Sequence, residues 1–170
     1  MPYARELVFG FFANPQNLPP LMPKWQQAQV EEVIYKAPPP TPVGSPAKIA
    51  AGVGTTMILS FRMVRYLPPR MRWHALITEF EWNDHFCDVQ TAGPFFFWKH
   101  CHSLRDETRD GVEGTVVRDE VTYEFPLGPL GDVANALGGR AQITSLFGYR
   151  QRQTAALMAV YAERVRSRRG

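Results

Sequence analysis

Residues 86–102 read FCDVQTAGPFFFWKHCH, and this stretch decides how the rest of the chain is read. Phe86, Asp88 and Gln90 form one trio, and Trp98, His100 and His102 form another. In an extended strand, residues at i, i+2 and i+4 share a face. Gly93-Pro94 lies between the trios and reads as a turn or bulge. If the two segments pair as a hairpin, one sheet face carries two aromatics, a carboxylate, an amide and two imidazoles. An exposed face does not need two large aromatics, and a simple core does not need four polar groups. A face with both is the usual lining of a small-molecule cavity. Cys87 and Cys101 fall on the opposite face of the same two strands. Their positions are compatible with a disulfide. With no secretory signal pattern to suggest an oxidising compartment, two free thiols are expected.

The neighbouring segments extend this hairpin into a sheet. Strands are expected over 26–36, 54–66, 71–82, 84–91, 95–106 and 114–125. Pro68-Pro69, Asn83-Asp84, Gly93-Pro94 and the Asp106–Gly114 stretch separate the later ones. Consecutive strands joined by short turns make an antiparallel meander. Residues 37–46, APPPTPVGSP, can only be a loop. Residues 4–12 fit a short helix that Asn14-Pro15 breaks, and 16–21 a second helical turn. Residues 126–139 form a Gly-rich connection with one helical turn. Then Ile143, Leu146, Phe147, Arg150, Thr154, Leu157, Met158, Tyr161 and Val165 recur at three- and four-residue spacing. They mark one long amphipathic helix. The class is α+β, with a sheet wrapped around that helix and a cavity between them.

Composition narrows the function. At 170 residues with 45% hydrophobic and 21% charged content, the chain is globular and sized for one domain, 1–170. The net charge is +3, and Arg164, Arg166, Arg168 and Arg169 cluster at the C-terminus, where cations suit a helix end. No basic stripe continues upstream, so no nucleic-acid partner is expected. No apolar run approaches the roughly 20 residues that cross a bilayer, so no stable membrane anchor is expected. The N-terminus lacks the basic-then-apolar pattern of a signal peptide, which points to a cytoplasmic protein.

Five stretches carry a resemblance: FFANPQNLPPLMPKW (11–25), GTTMILSFR (54–62), RWHALITEFEWNDHFCDVQTAGPFFFWKHCH (72–102), GTVVRDEVTYEFPLGPLG (114–131) and FGYR (147–150). Together they resemble the START-like (SRPBCC, birch-pollen-allergen-like) superfamily, in its polyketide cyclase/dehydrase or ligand-binding branch. The resemblance implies a helix-grip fold, in which a seven-stranded antiparallel sheet grips a long C-terminal helix. Such domains normally begin with a strand, whereas here only Met1 to Ala4 precede the first helix. Either the start is placed too far downstream or the sheet lacks its first strand; a missing strand leaves an open sheet edge, which predicts homodimerisation through that edge.

Three functional readings follow. In the first, the protein binds a hydrophobic small molecule (a lipid, polyketide or other aromatic) between sheet and C-terminal helix. Phe86, Trp98, Tyr123, Leu146 and Leu157 supply apolar contact, and Arg62, Asp88, Gln90, His100, His102 and Arg150 supply orientation. Entry lies near 126–139 and 37–46. In the second, His100 or His102 with Asp88 or Asp119 works as an acid–base pair of a cyclase or dehydratase. In the third, the polar groups are a hydrogen-bonded network in a filled core. His100-x-His102 with one aspartate falls short of a full ligand set, and no ligand cluster stands elsewhere, so neither metal nor cofactor is expected. Gly52-x-Gly54 is a strand entry and no dinucleotide site.

Overall fold

A computed structural model describes residues 1–43, 45, 49–63, 65–66, 68–126, 128–129 and 135–167. Helix α1 spans Arg5–Phe12, and three 3-10 turns follow at Pro15–Asn17, Pro19–Leu21 and Lys24–Gln26. The strands are β1 (Gln29–Ile34), β2 (Thr56–Arg62), β3 (Arg70–Glu81), β4 (His85–Ala92), β5 (Phe97–Arg109) and β6 (Val112–Glu124). Helix α2 spans Arg140–Ser167. The six strands form one antiparallel sheet in sequence order. Register shifts at Val30/Glu32, His74/Ala75 and Ile77/Glu79 are bulges, which bend and twist a sheet.

Local chemistry explains the departures from expectation. The expected second helix is instead the first two of the three 3-10 turns, because prolines at 15, 19, 20 and 23 leave no donors for a continuous α-helix. β1 starts later than expected, since Gln27 adopts a left-handed φ of 48° after the third turn. The break expected over Asp106–Gly114 is only Asp110-Gly111. Their φ values of 54° and 76° suit the tight turn of a two-residue hairpin, so β5 and β6 run longer. Part of the 126–139 connection lies outside the described residues.

The expectation of free thiols is wrong. Cys87 lies directly opposite Cys101 in the β4–β5 ladder, and the two form a disulfide with Cα atoms 4.1 Å apart. The compartment argument overrode a geometry that already placed both sulfurs on one face.

Among the described residues no strand precedes α1, and Met1 and Tyr3 instead bond to β6. Met1 accepts a backbone hydrogen bond from Thr115 and donates one to it, both 2.8 Å. Thr115 Oγ1 donates to the Tyr3 carbonyl at 2.7 Å. The sheet therefore has six strands, fewer than the seven that the resemblance implies.

The core fills one end of the space between sheet and helices. Phe9 of α1 is fully buried with its ring 5.4 Å from Phe80, 5.6 Å from Trp82 and 5.8 Å from Phe86. Met158 of α2 is fully buried in the same cluster, and Phe11 meets Tyr161 at 5.5 Å. Truncating Phe9 removes the centre of this cluster. Phe9→Ala is expected to lower unfolding free energy by about 3–5 kcal/mol in urea titration; a loss under about 1 kcal/mol would contradict this packing.

Candidate functional site

Away from that cluster, sheet and helix separate around a cavity of about 710 Å³. This is within the usual range of small-molecule sites, roughly 300–1,000 Å³. Its walls are apolar. Leu59, Phe61, Trp73, Ala75, Ile77 and Trp98 face it from the sheet, and Ile143, Leu146 and Phe147 from α2. Trp73 and Trp98 pack edge to face at 4.9 Å, with Phe95 5.7 Å and 4.8 Å from them. The exposed lining residues Lys24, Arg65, Gln142, Ser145 and Arg152 mark the mouth. Gln142 Nε2 crosses it to donate to the Met63 carbonyl at 3.3 Å.

Asp88, His100 and His102 stand in the cavity wall beside Phe86. The ladder puts Asp88 opposite His100, Phe86 opposite His102 and Asp119 of β6 opposite His102. His100 Nε2 is hydrogen-bonded to Asp119 Oδ1 at 3.1 Å, and its Nδ1 lies 3.7 Å from Asp88 Oδ2. His102 Nδ1 is 2.6 Å from the same Asp119 oxygen, with an angle outside hydrogen-bond geometry. The imidazole centroids are 4.1 Å apart. Arg150 of α2 also lines the cavity, its guanidinium 5.0 Å over the Phe147 ring. Arg150 and Phe12 border a second cavity of about 510 Å³ beside the start of β6, which Asp119 reaches from the other side.

Burial sets the protonation states. It pushes His100 down to about 4, helped by His102 and opposed by Asp119 and Asp88. It lowers His102 too, against the pull of Asp119. Both imidazoles are therefore neutral at neutral pH. Burial raises Asp88, with the His100 and Arg150 charges acting against it. For Asp119 burial also pushes upward, but the two imidazoles and Arg150 outweigh it and hold the carboxyl well below the usual range. An ionised Asp119 only accepts hydrogen bonds. Neutral His100 therefore carries its proton on Nε2, which leaves the Nδ1 lone pair on the Asp88 side. His100, His102 and Asp119 also offer three donor atoms within 4.8 Å of one another that could hold a metal ion, although the Arg150 charge opposes a cation there.

Of the expected ligand contacts, Phe86, Asp88, Trp98, His100, His102, Leu146 and Arg150 line this cavity. Arg62 does not: Phe61 and Met63 face inward, so alternation turns Arg62 outward. Gln90 is taken up by the β4–β5 turn, where its Nε2 donates to the Phe95 carbonyl at 2.7 Å. Any Cβ at Gly93 would run into that amide, hence glycine there. Tyr123 shares the sheet face of Trp98 but does not line the cavity, standing 5.8 Å from Phe95 and 6.1 Å from Trp98. Leu157 packs on the core cluster. None of the described residues of the 37–46 loop lines the cavity, and its Pro39 carbonyl accepts from Trp82 Nε1 at 2.8 Å; residues 44 and 46 lie outside the described residues.

The sequence reading missed Trp25, Trp73, Ala75, Phe95 and the mouth cations. Trp73, Ala75 and Ile77 alternate along β3, a period-two signal that was available. The 3-10 turns that bring Lys24, Trp25 and buried Gln26 to the cavity carry no such signal.

No family model matches the chain, and no curated protein matches it. Solved structures do. The crystal structure of TTHA0849 from Thermus thermophilus matches with a TM-score of 0.57 at 15% identity, over 92% of this chain and 93% of that one. The chain has a helix-grip fold. The crystal structure of Ara h 8.0201 matches at 13% identity and a TM-score of 0.45, over 88% of this chain and 91% of that one. Among the described residues no helix is long and apolar enough to cross a membrane.

The depressed imidazoles make stability depend on pH. The unfolded chain binds their protons first, so their contribution is complete above about 6.5 and is lost as pH falls toward about 4. Asp88, shifted upward, offsets part of this loss. Urea titrations between pH 6.5 and 4.5 should show stability falling by up to roughly 1.4 kcal/mol per pH unit for each imidazole. His100→Gln should flatten the decline. A wild-type stability independent of pH across that window would contradict these protonation states.

Proposed function

We propose that this protein binds a small molecule with a large apolar body in the cavity between β2–β5 and α2. The observation that carries this reading is the lining itself. A space of about 710 Å³ has aromatic and aliphatic walls and one polar cluster set into them. A filled core would not leave such a space, because interiors pack to crystal density. The cluster would then orient a polar group on the ligand, and the aromatic wall would supply most of the binding energy.

Ala75 provides a test that leaves the polar groups alone. It is buried on β3 and faces the cavity. Ala75→Phe should occupy ligand space and weaken binding of the neutral fluorescent probe N-phenylnaphthylamine about tenfold or more, with unfolding free energy unchanged. In a filled core the same change overpacks and costs about 1–3 kcal/mol. That loss, with no probe binding by the wild type, would sink the proposal.

A second reading, acid–base catalysis, has its own observation. Two neighbouring groups facing the cavity are pushed in opposite directions: His100 down and Asp88 up. Such pairs supply an unprotonated base and a protonated acid at one pH. His100 Nδ1 would take a proton beside a ligand carbonyl, and the Asp88 carboxyl would give one to a departing hydroxyl, so that water leaves. His100→Gln should then keep probe affinity within about threefold and abolish conversion of a bound β-hydroxy carbonyl compound, followed by loss of water in mass spectrometry. No conversion of such compounds by the wild type would leave binding alone.

A further inference from the structure

Several cations away from the cavity are paired. Arg5, Arg72, Lys99, Arg118 and Arg166 each meet a carboxylate within 3.2 Å, and Arg105 and Arg109 share Glu107. Four cations line the cavity: Lys24, Arg65, Arg150 and Arg152. Among the described residues none of these four has an ion-pair or side-chain hydrogen-bond partner. The only carboxylate in the same lining, among the described residues, is Asp88.

Lys24, Arg65 and Arg152 are exposed at the mouth, where solvent screens them. Arg150 differs. It is half-buried, its guanidinium lies 5.0 Å over the Phe147 ring, and the residue lines both cavities. A guanidinium partly withdrawn from water gains from a partner. Its five donors form a planar fork that fits a carboxylate or sulfonate bidentately. Asp119 does not fill that role: its Oδ1 is occupied by the two imidazoles, and no ion pair to Arg150 forms. The ring of Phe147 holds the guanidinium plane in place.

We propose that the ligand is an amphipathic acid, whose oxyanion is received by Arg150 while its apolar body lies along the Trp73–Trp98 wall. This rests on the cavity being a binding site and adds the chemical class of its occupant. The mouth cations raise the local concentration of such an anion, and Arg150 fixes it.

The test uses two probes that differ by one sulfonate, anilinonaphthalene sulfonate and neutral N-phenylnaphthylamine. Fluorescence titration of wild type, Arg150→Met, Arg150→Lys and Lys24→Ala/Arg152→Ala gives both affinities. Arg150→Met should weaken the sulfonate about tenfold to a hundredfold and leave the neutral probe within about twofold. Arg150→Lys should restore part of the loss, and the mouth variant should cost less than about threefold at physiological salt. Equal weakening of both probes by Arg150→Met would make the guanidinium a packing group and overturn the proposal. Loss only in the mouth variant would also overturn it, by placing the anion outside. If the neutral probe binds and the acid shows no preference for Arg150, the cavity stands and the acid class fails. If neither binds to wild type, both fail. Should Arg150→Met not fold, wild-type competition decides: dodecanoate should displace N-phenylnaphthylamine at least tenfold more effectively than dodecanol, and equal displacement would overturn the proposal.

Discussion

The cross-strand register that sets Asp88 opposite His100 also sets Phe86 opposite His102 and Cys87 opposite Cys101. Most of the site depends on it. A slip of one residue would turn the carboxylate and imidazoles outward and bring the sulfurs into the cavity. The disulfide lies on the far face of the same two strands and ties the register covalently behind the polar cluster. At the β4–β5 turn Gln90 bonds the Phe95 backbone, which holds the Phe95–Trp98 end of the wall. β6 then extends the same frame, because its pairing with β5 brings Asp119 to both imidazoles.

That arrangement places charge in a region where charge is expensive. Asp119 is tolerable because two imidazoles converge on one of its oxygens and Arg150 lies near. Asp88 has only His100 at 3.7 Å and is pushed toward its neutral form. Arg150 has the ring of Phe147 and the charges of Asp119 and Asp88, without an ion pair to either. The cluster is therefore incompletely matched, and the unmatched parts border open space. A network that served the core alone would be expected to satisfy each member. Incomplete matching beside an apolar cavity is the arrangement of a site that finishes its pairing with a ligand.

Much of this could be read from the residues. Period-two spacing through residues 86–102 placed both trios, and the three- and four-residue spacing after 140 placed α2. Alternation put Asp88, His100 and His102 on one face, while the register that pairs Asp88 with His100 came from the ladder. What failed was whatever periodicity does not encode. Arg62 sits one residue out of phase with the inward set of β2, which chemical suitability for a ligand could not reveal. The Asp110-Gly111 turn was legible as a hairpin signal, yet the charged residues around it read as a longer break. The 3-10 turns at 15–26 depend on prolines and tertiary packing, so Trp25 and Gln26 could not be placed at the cavity in advance. The disulfide was geometrically available and was set aside for a reason unconnected with geometry.

The most direct test of a ligand-binding cavity is native mass spectrometry of the protein purified from its own host, followed by denaturing extraction. The account predicts a mass above that of the bare chain and release of one apolar-bodied molecule bearing an acid group. A bare chain that also ignores a panel of apolar and amphipathic probes would contradict it, and the polar cluster would then serve the fold alone.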